Sequence, residues 1–382
     1  MQCDKLFDEI NRLESDYVKV WEDVCNIESP TNFKEGVDRV GKYFIKMAED
    51  RGFDVELCEQ PVSGNAICIT MNPQAKAAPV TFSGHIDTVH QVGFFGTPAV
   101  KKDSENIYGP GVTDCKGGVV ASFFAMDALK NCGFTARPVK LIIQSDEETS
   151  SKGSNKQTLD FMCKKAAGSV AFLNAEGSRK GLVTLLRKGI IMYRFSVKGK
   201  AIHSSECDKG ASAIAEAAHK IIELEKMKNV DGITCNCGII KGGTVPNTVP
   251  EECEFVADIR YWTNQEFEYV KEKINEVCNT VYVEGCSCTV EVDSFRPAMV
   301  ASEHNDKLLE KANEIFKANG LPELKAASAT GGSDASYITE CEIPCLDDVG
   351  IEGFNIHSIK EYAGIKALGD AAKRLAAVAY CI

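Results

Sequence analysis

An α/β protein with a smaller α/β domain inserted into it is the fold class that this sequence of 382 residues predicts. Three observations carry that expectation. Apolar strands alternate with amphipathic helices through the first half, and polar or glycine-bearing segments stand where those strands stop. Near residue 188 the rhythm changes into a complete β-α-β-β-α-β series, after which the first pattern resumes. The length also exceeds the size at which single hydrophobic cores usually stop growing, so two domains are expected.

Taken in order, residues 4–26 and 36–51 place apolar side chains at helical spacing, and GFDVELCEQ followed by NAICITMN alternates like a hairpin of strands. AAPVTFSGHIDTV reads as a buried strand entering a loop, KGGVVASFFAMDALKNCG as a helix, and PVKLIIQSDEE as another strand ending in charge. The inserted series runs through the strand GIIMYRFSVKG, the helix KGASAIAEAAHKIIELEKM, the strands GITCNCGIIKGG and EECEFVADIRYW, the helix NQEFEYVKEKINEVCNTVY and the strand CSCTVEVDSF. Beyond it come the helix EHNDKLLEKANEIFKANG, the loop SATGGSDASYI, the strand IPCLDDVG and a final helix over 359–381. The expected division is an outer domain of residues 1–187 and 299–382, split by a domain of residues 188–298.

Composition narrows the function. The net charge is −12, with 43 Lys and Arg against 55 Asp and Glu, and no basic run stands out. Nucleic acid and anionic membrane are therefore poor partners. The charged, amphipathic N-terminus lacks the apolar stretch of a signal peptide, and no window reaches membrane-spanning length, so a cytoplasmic protein is expected. Seventeen cysteines in so long a chain, odd in number and without C-x-x-C, read as reduced thiols acting as small hydrophobes.

Four stretches, SGHIDTV, GPGVTDCKGG, DEET and FNIHS, carry the chemistry. With Glu176 of FLNAEGS, they supply His85, Asp114, Glu148, Glu176 and His357, the nitrogen and oxygen donors that a pair of zinc ions takes. Asp87, two residues beyond His85, is spaced to accept its second ring N–H and fix its orientation. Asp114 is flanked by glycines on both sides, which a helix cap alone does not require. Adjacent Glu147 and Glu148 repel unless a cation intervenes; if one binds metal, the other is left to accept a proton. Each feature alone is common, and together they point to a hydrolase.

As a set, these motifs resemble the di-zinc carboxypeptidase and aminoacylase family of glutamate carboxypeptidase, acetylornithine deacetylase and succinyl-diaminopimelate desuccinylase. The local likeness to glutamate carboxypeptidase lies in LRKGIIMYRFSVKGKAIHSS, SFRPAM and DVGIEGFNIHSIKEY. The resemblance implies a mixed-sheet α/β/α catalytic domain with a ferredoxin-like lid that also pairs two chains into a homodimer. It further implies two zinc ions bridged by Asp114, one completed by Glu148 and His357 and the other by His85 and Glu176, with cobalt and manganese as alternative metals. Asp87 would orient His85, and Glu147 would be the general base for a water bridging the metals. The Asp114–Cys115 peptide bond would be cis, with Cys115 not a ligand. In the lid, His203 of KGKAIHSS would stabilise the oxyanion, while Asn247 and Arg260 would hold the substrate carboxylate or transition state. Gly331 and Gly332 would offer backbone amides to a carboxylate, and Arg296 is a secondary candidate for recognising an acidic side chain.

Zinc-dependent hydrolysis of an amide next to a free carboxylate is the resulting expectation, with a small peptide or an N-acyl amino acid as substrate. An N-acyl-amino-acid deacylase is the alternative within that class. A silent, peptide-binding homologue would show a lost ligand or base, and none is lost.

Overall fold

The computed structural model describes residues 3–382, which divide into two compact units. The first comprises 3–185, 301–328 and 337–382, and the second 186–300 with 329–336. Among the described residues no helix is long and apolar enough to cross a membrane.

The first unit is built on a six-stranded mixed sheet, in the order Asp54–Cys58, Ala66–Met71, Val139–Gln144, Val80–His85, Ala171–Asn174 and Cys345–Leu346. The first two strands form the expected antiparallel hairpin, with Asp54 opposite Thr70 and Cys58 opposite Ala66. Val80–His85 runs parallel to the strands on either side of it. All six of its residues are buried, which requires cover on both faces of the sheet. The apolar sides of Asp4–Asn26, Lys116–Asn131 and Lys366–Cys381 pack on one another within that cover; Tyr17 stacks on Phe124 at 4.2 Å, and Trp21 is fully buried. Cys25, Cys68 and Cys115 serve as small core residues, and burial pushes each thiol above its usual value, to about 12 for Cys25.

The second unit is an antiparallel sheet in the order Thr234–Gly242, Glu252–Tyr261, Gly189–Lys198, Ser287–Arg296. With Ala213–Glu225 and Asn264–Asn279 it realises the β-α-β-β-α-β order. Gly189–Lys198 alternates buried and half-buried residues because the helices cover one face of the sheet. The second helix begins with a capping box between Thr263 and Glu266.

The structure corrects the sequence reading near the C-terminus. The final helix starts at Lys366 and not at 359, because Tyr362–Gly364 pairs as a strand with Asn106–Tyr108 in a small four-stranded sheet that the sequence reading did not foresee. Within the stretch read as the loop SATGGSDASYI, Lys325–Ala329 is a strand and Ala335–Glu340 a short helix. Residues 329–336 group with the second unit, whereas the sequence reading ran the outer domain unbroken from 299. The cause is local: Arg187, Arg260 and Arg296, all of the second unit, engage this segment.

Gly118 sits where the helix Lys116–Asn131 meets the end of the strand Ala171–Asn174. A Cβ at Gly118 would lie 1.8 Å from the carbonyl oxygen of Ala175, next to Glu176. Gly118→Ala is expected to destabilise the chain by about 1–3 kcal/mol or more; an unchanged denaturation midpoint would show that this approach is not required.

Candidate metal centre

Three parallel neighbours in the large sheet deliver their carboxyl ends to one place, which is where ligands bind in open α/β sheets. His85 ends one strand, Glu147 and Glu148 follow the strand Val139–Gln144, and Glu176 follows Ala171–Asn174. Asp114 immediately precedes the helix N-cap at Cys115, across a cis Asp114–Cys115 bond. No side chain caps that helix, and the Asp114 carboxylate instead turns to the histidines.

Asp114 lies between two imidazoles. Its Oδ1 is 3.1 Å from His85 Nε2 and its Oδ2 is 3.1 Å from His357 Nε2. Each imidazole meets a second carboxylate, Glu176 at 3.6 Å from His85 Nε2 and Glu148 at 3.3 Å from His357 Nε2. The structure thus gathers all five expected donors and divides them into two sets that share Asp114. Asp87 is fully buried. It stands 3.2 Å from His85 Nδ1, accepts the Thr31 hydroxyl at 2.7 Å, and accepts the backbone N–H groups of Glu147 and Glu148 at 3.2 Å each. A single carboxylate therefore orients the His85 ring and holds the loop that carries Glu147 and Glu148. Glu147 is buried beside this cluster, and its charge acts on both Glu148 and Glu176.

The electrostatics fit divalent cations. Burial pushes Glu148 up to about 8 and Glu176 up to about 7, with the charges of Asp114 and Glu147 adding to the effect. Hydrogen bonds to Asp114 and Glu148 raise His357 to about 10. For His85, burial acts downward, but Glu176, Asp114 and Asp87 outweigh it and lift the imidazole well above its ordinary value. Asp114 resists the upward push of burial because His357 and His85 hold it well below the carboxylate range. Without a cation the cluster keeps protons on its imidazoles and shares others among crowded carboxylates; bound cations would replace them. Cys115 also lies near His85 and Glu176. Its thiol donates to the Ala175 carbonyl at 3.2 Å, and burial raises it well above its usual value.

Side chains around the centre are apolar. His90, which the sequence reading left without a role, stacks on Phe94 at 5.1 Å and meets Phe95 edge-on at 4.9 Å. Burial, and then the charge of His357, lower its proton affinity. Beside His357, Phe354 and Ile356 are about half exposed.

In the second unit, His203 pairs in a β-bridge with Thr248, and the Ser204 N–H donates to the Asn247 carbonyl at 2.9 Å, so His203 and Asn247 are neighbours on exposed backbone. The Ser205 amide donates to His203 Nδ1 at 3.3 Å, which assigns the proton of the neutral ring to Nε2. Arg260 donates to the Thr330 carbonyl at 2.9 Å and to Asp258 at 3.2 Å. Arg296, considered from sequence for an acidic side chain, is instead buried with its guanidinium 3.6 Å from Asp334, and its Cδ would lie 2.6 Å from a Cβ at Gly332. Arg187, which the sequence reading missed, donates to the carbonyls of Gly331 at 3.2 Å and Gly332 at 3.5 Å. No motif flags it, since its partners lie 144 and 145 residues away.

Comparison with known proteins agrees with this geometry. Residues 185–286 match the family model described as a peptidase dimerisation domain of the M20 group, and residues 66–228 match the one described as peptidase family M28. Carboxypeptidase G2 of Pseudomonas sp. is 28% identical over 362 residues, covering 92% of this chain and 85% of that protein. The chain is thus similar to M20 peptidases in its dimerisation-domain match and along most of its length. It is a metallohydrolase acting on peptide or amide bonds. Its fold is also that of aminopeptidase PepT from Bacillus cereus (TM-score 0.79, 21% identity, 96% of this chain and 98% of that one). A dinuclear metal binding peptidase of the M20 family from Bacillus subtilis shares it too (TM-score 0.71, 18% identity, 97% and 98%).

Because the donors hold protons when no metal is bound, zinc titration of the metal-free chain at pH 7 is expected to release protons. The apparent affinity should then rise with pH by about tenfold per pH unit for each proton displaced. Isothermal titration in buffers of different ionisation enthalpy measures this, and a heat independent of the buffer would contradict it.

Proposed function

We propose that this chain is a carboxypeptidase that hydrolyses the amide bond before a free C-terminal carboxylate, with glutamate as the preferred released residue. The observation that carries the reading is the shared Asp114, whose two oxygens face two imidazoles that each have a carboxylate of their own. The preference for a carboxypeptidase rests on the likeness to carboxypeptidase G2 over 92% of the chain.

Asp114, His85 and Glu176 would hold one zinc ion, and Asp114, Glu148 and His357 the other, with cobalt or manganese able to substitute. Bound there, the pair supplies Lewis acidity toward the amide carbonyl and the attacking water. The remaining steps belong to the chain. Glu147 accepts the proton of the attacking water and returns it to the leaving nitrogen, and Asp87 keeps the Glu147 backbone and the His85 ring in register. The Nε2–H of His203 is suited to donate to the oxyanion, since Nδ1 is already occupied as an acceptor. Asn247, Arg260 and the backbone of Gly331 and Gly332 receive the substrate carboxylate; Arg187 and Arg296 bring further positive charge to that loop.

The test is steady-state hydrolysis of C-terminal glutamyl, aspartyl and neutral peptides beside N-acetyl and N-succinyl amino acids, in metal-free and zinc-restored protein. Zinc-restored turnover of the glutamyl group is expected, together with a loss of about 10²–10⁴-fold in Glu147→Gln that leaves bound metal unchanged. Turnover of the N-acyl amino acids alone would replace this reading with a deacylase.

We also propose a homodimer formed through the second unit, in which His203 and Asn247 complete the partner's centre. Its two edge strands, Thr234–Gly242 and Ser287–Arg296, provide unpaired backbone, and Ile239, Ile240 and Val292 are about half exposed along them. Mixing His203→Ala and Glu147→Ala chains is expected to restore up to about a quarter of the parental activity, the share of sites in which both lesions fall outside one centre. A silent mixture of the two silent parents would exclude completion in trans.

A further inference from the structure

Glu361 lies four residues after the ligand His357 and is 2% exposed. Its side chain reaches back some 250 positions to the loop that bears Asp114. Oε1 accepts the N–H groups of Thr113 at 2.8 Å and Asp114 at 3.0 Å, and Oε2 accepts that of Gly111 at 3.3 Å. Its own carbonyl accepts from Gly109 at 3.2 Å, and Thr113 Oγ1 donates to the carbonyl of the next residue, Tyr362, at 3.3 Å. Tyr362–Gly364 then pairs with Asn106–Tyr108, so the two loops are joined on both sides of Glu361. The approach is close as well, since a Cβ at Gly353 would lie 2.0 Å from Thr113 Oγ1.

We propose that Glu361 is a positioning residue for the whole metal centre, setting the shared Asp114 and the half-exposed His357 relative to each other through one buried carboxylate. This inference rests on the assignment of Asp114 and His357 as ligands. A carboxylate suits the task because both its oxygens only accept, whereas a glutamine would turn an NH₂ group toward at least one of the three N–H donors. Burial of such a group is tolerated because those donors satisfy it. The consequence differs from that of losing a single ligand. Because Asp114 serves both positions, a shift in its backbone affects both metals, while His357 and Glu148 each serve one.

The experiment is a titration of metal-free protein with cobalt(II) chloride, followed by visible absorption and by competition with a chelator, in the parent, Glu361→Gln and Glu361→Asp. Far-ultraviolet circular dichroism reports the fold of each metal-free form. The parent is expected to bind two equivalents. Glu361→Gln should remain folded but bind both equivalents about 10–100-fold more weakly with altered cobalt bands, and Glu361→Asp, which keeps two accepting oxygens, should fall between. Unchanged affinities and bands in folded Glu361→Gln, weakening of one equivalent only, or failure of both variants to fold without metal would overturn the proposal. A parent that binds no cobalt would instead remove the ligand assignment on which it stands.

Discussion

Like charge forced together in a buried place is the constraint around which the first unit is organised. Asp114, Glu147, Glu148 and Glu176 converge on two imidazoles at the carboxyl edge of the large sheet, and all four are largely withdrawn from water. Carboxylates so placed hold protons or need cations. That single requirement accounts for the raised Glu148 and Glu176, for the raised imidazoles beside them, and for a donor set made of nitrogen and oxygen.

Such crowding persists only if the surrounding backbone holds it, and two further carboxylates do much of that holding. Asp87 binds the His85 ring on one side and two consecutive backbone amides, Glu147 and Glu148, on the other. Glu361 does the equivalent for Asp114 from the C-terminal side. The two differ in charge: despite burial, the His85 ring and its hydrogen bonds hold Asp87 below its usual value, whereas burial pushes Glu361 up to about 7 against the three backbone N–H groups that stabilise its charge. Glycine serves the same end by absence of bulk, as at Gly118, where the helix comes within contact of the strand that leads to Glu176.

In the second unit positive charge gathers at one segment. Arg187, Arg260 and Arg296 gather about the carbonyl-rich segment 330–334, and His203 stands on a separate exposed loop with its Nδ1 accepting the Ser205 N–H. A chain whose net charge is −12 thus concentrates three guanidinium groups at one segment.

Much of this was legible in the sequence because the signals are short. His85, Asp114, Glu148, Glu176 and His357 each sit in a polar or glycine-bearing segment that follows an apolar run or precedes a helix, and the α/β alternation with an inserted β-α-β-β-α-β series follows from hydrophobic period alone. The Tyr362–Gly364 strand was hidden because three residues carry no period of their own and become a strand only by pairing with residues 106–108. Glu361 and Arg187 were hidden for a related reason: their partners are backbone atoms some 250 and 144 residues distant, and backbone atoms leave no trace in residue identity. Arg296 was visible as a charge, but not as a charge already buried against Asp334. The sequence by itself thus determined which chemical groups are available and at which strand ends they stand. Only the tertiary structure decided which of them share a centre and which backbone amides hold them there, because parallel pairing and loop packing join positions that no local pattern connects.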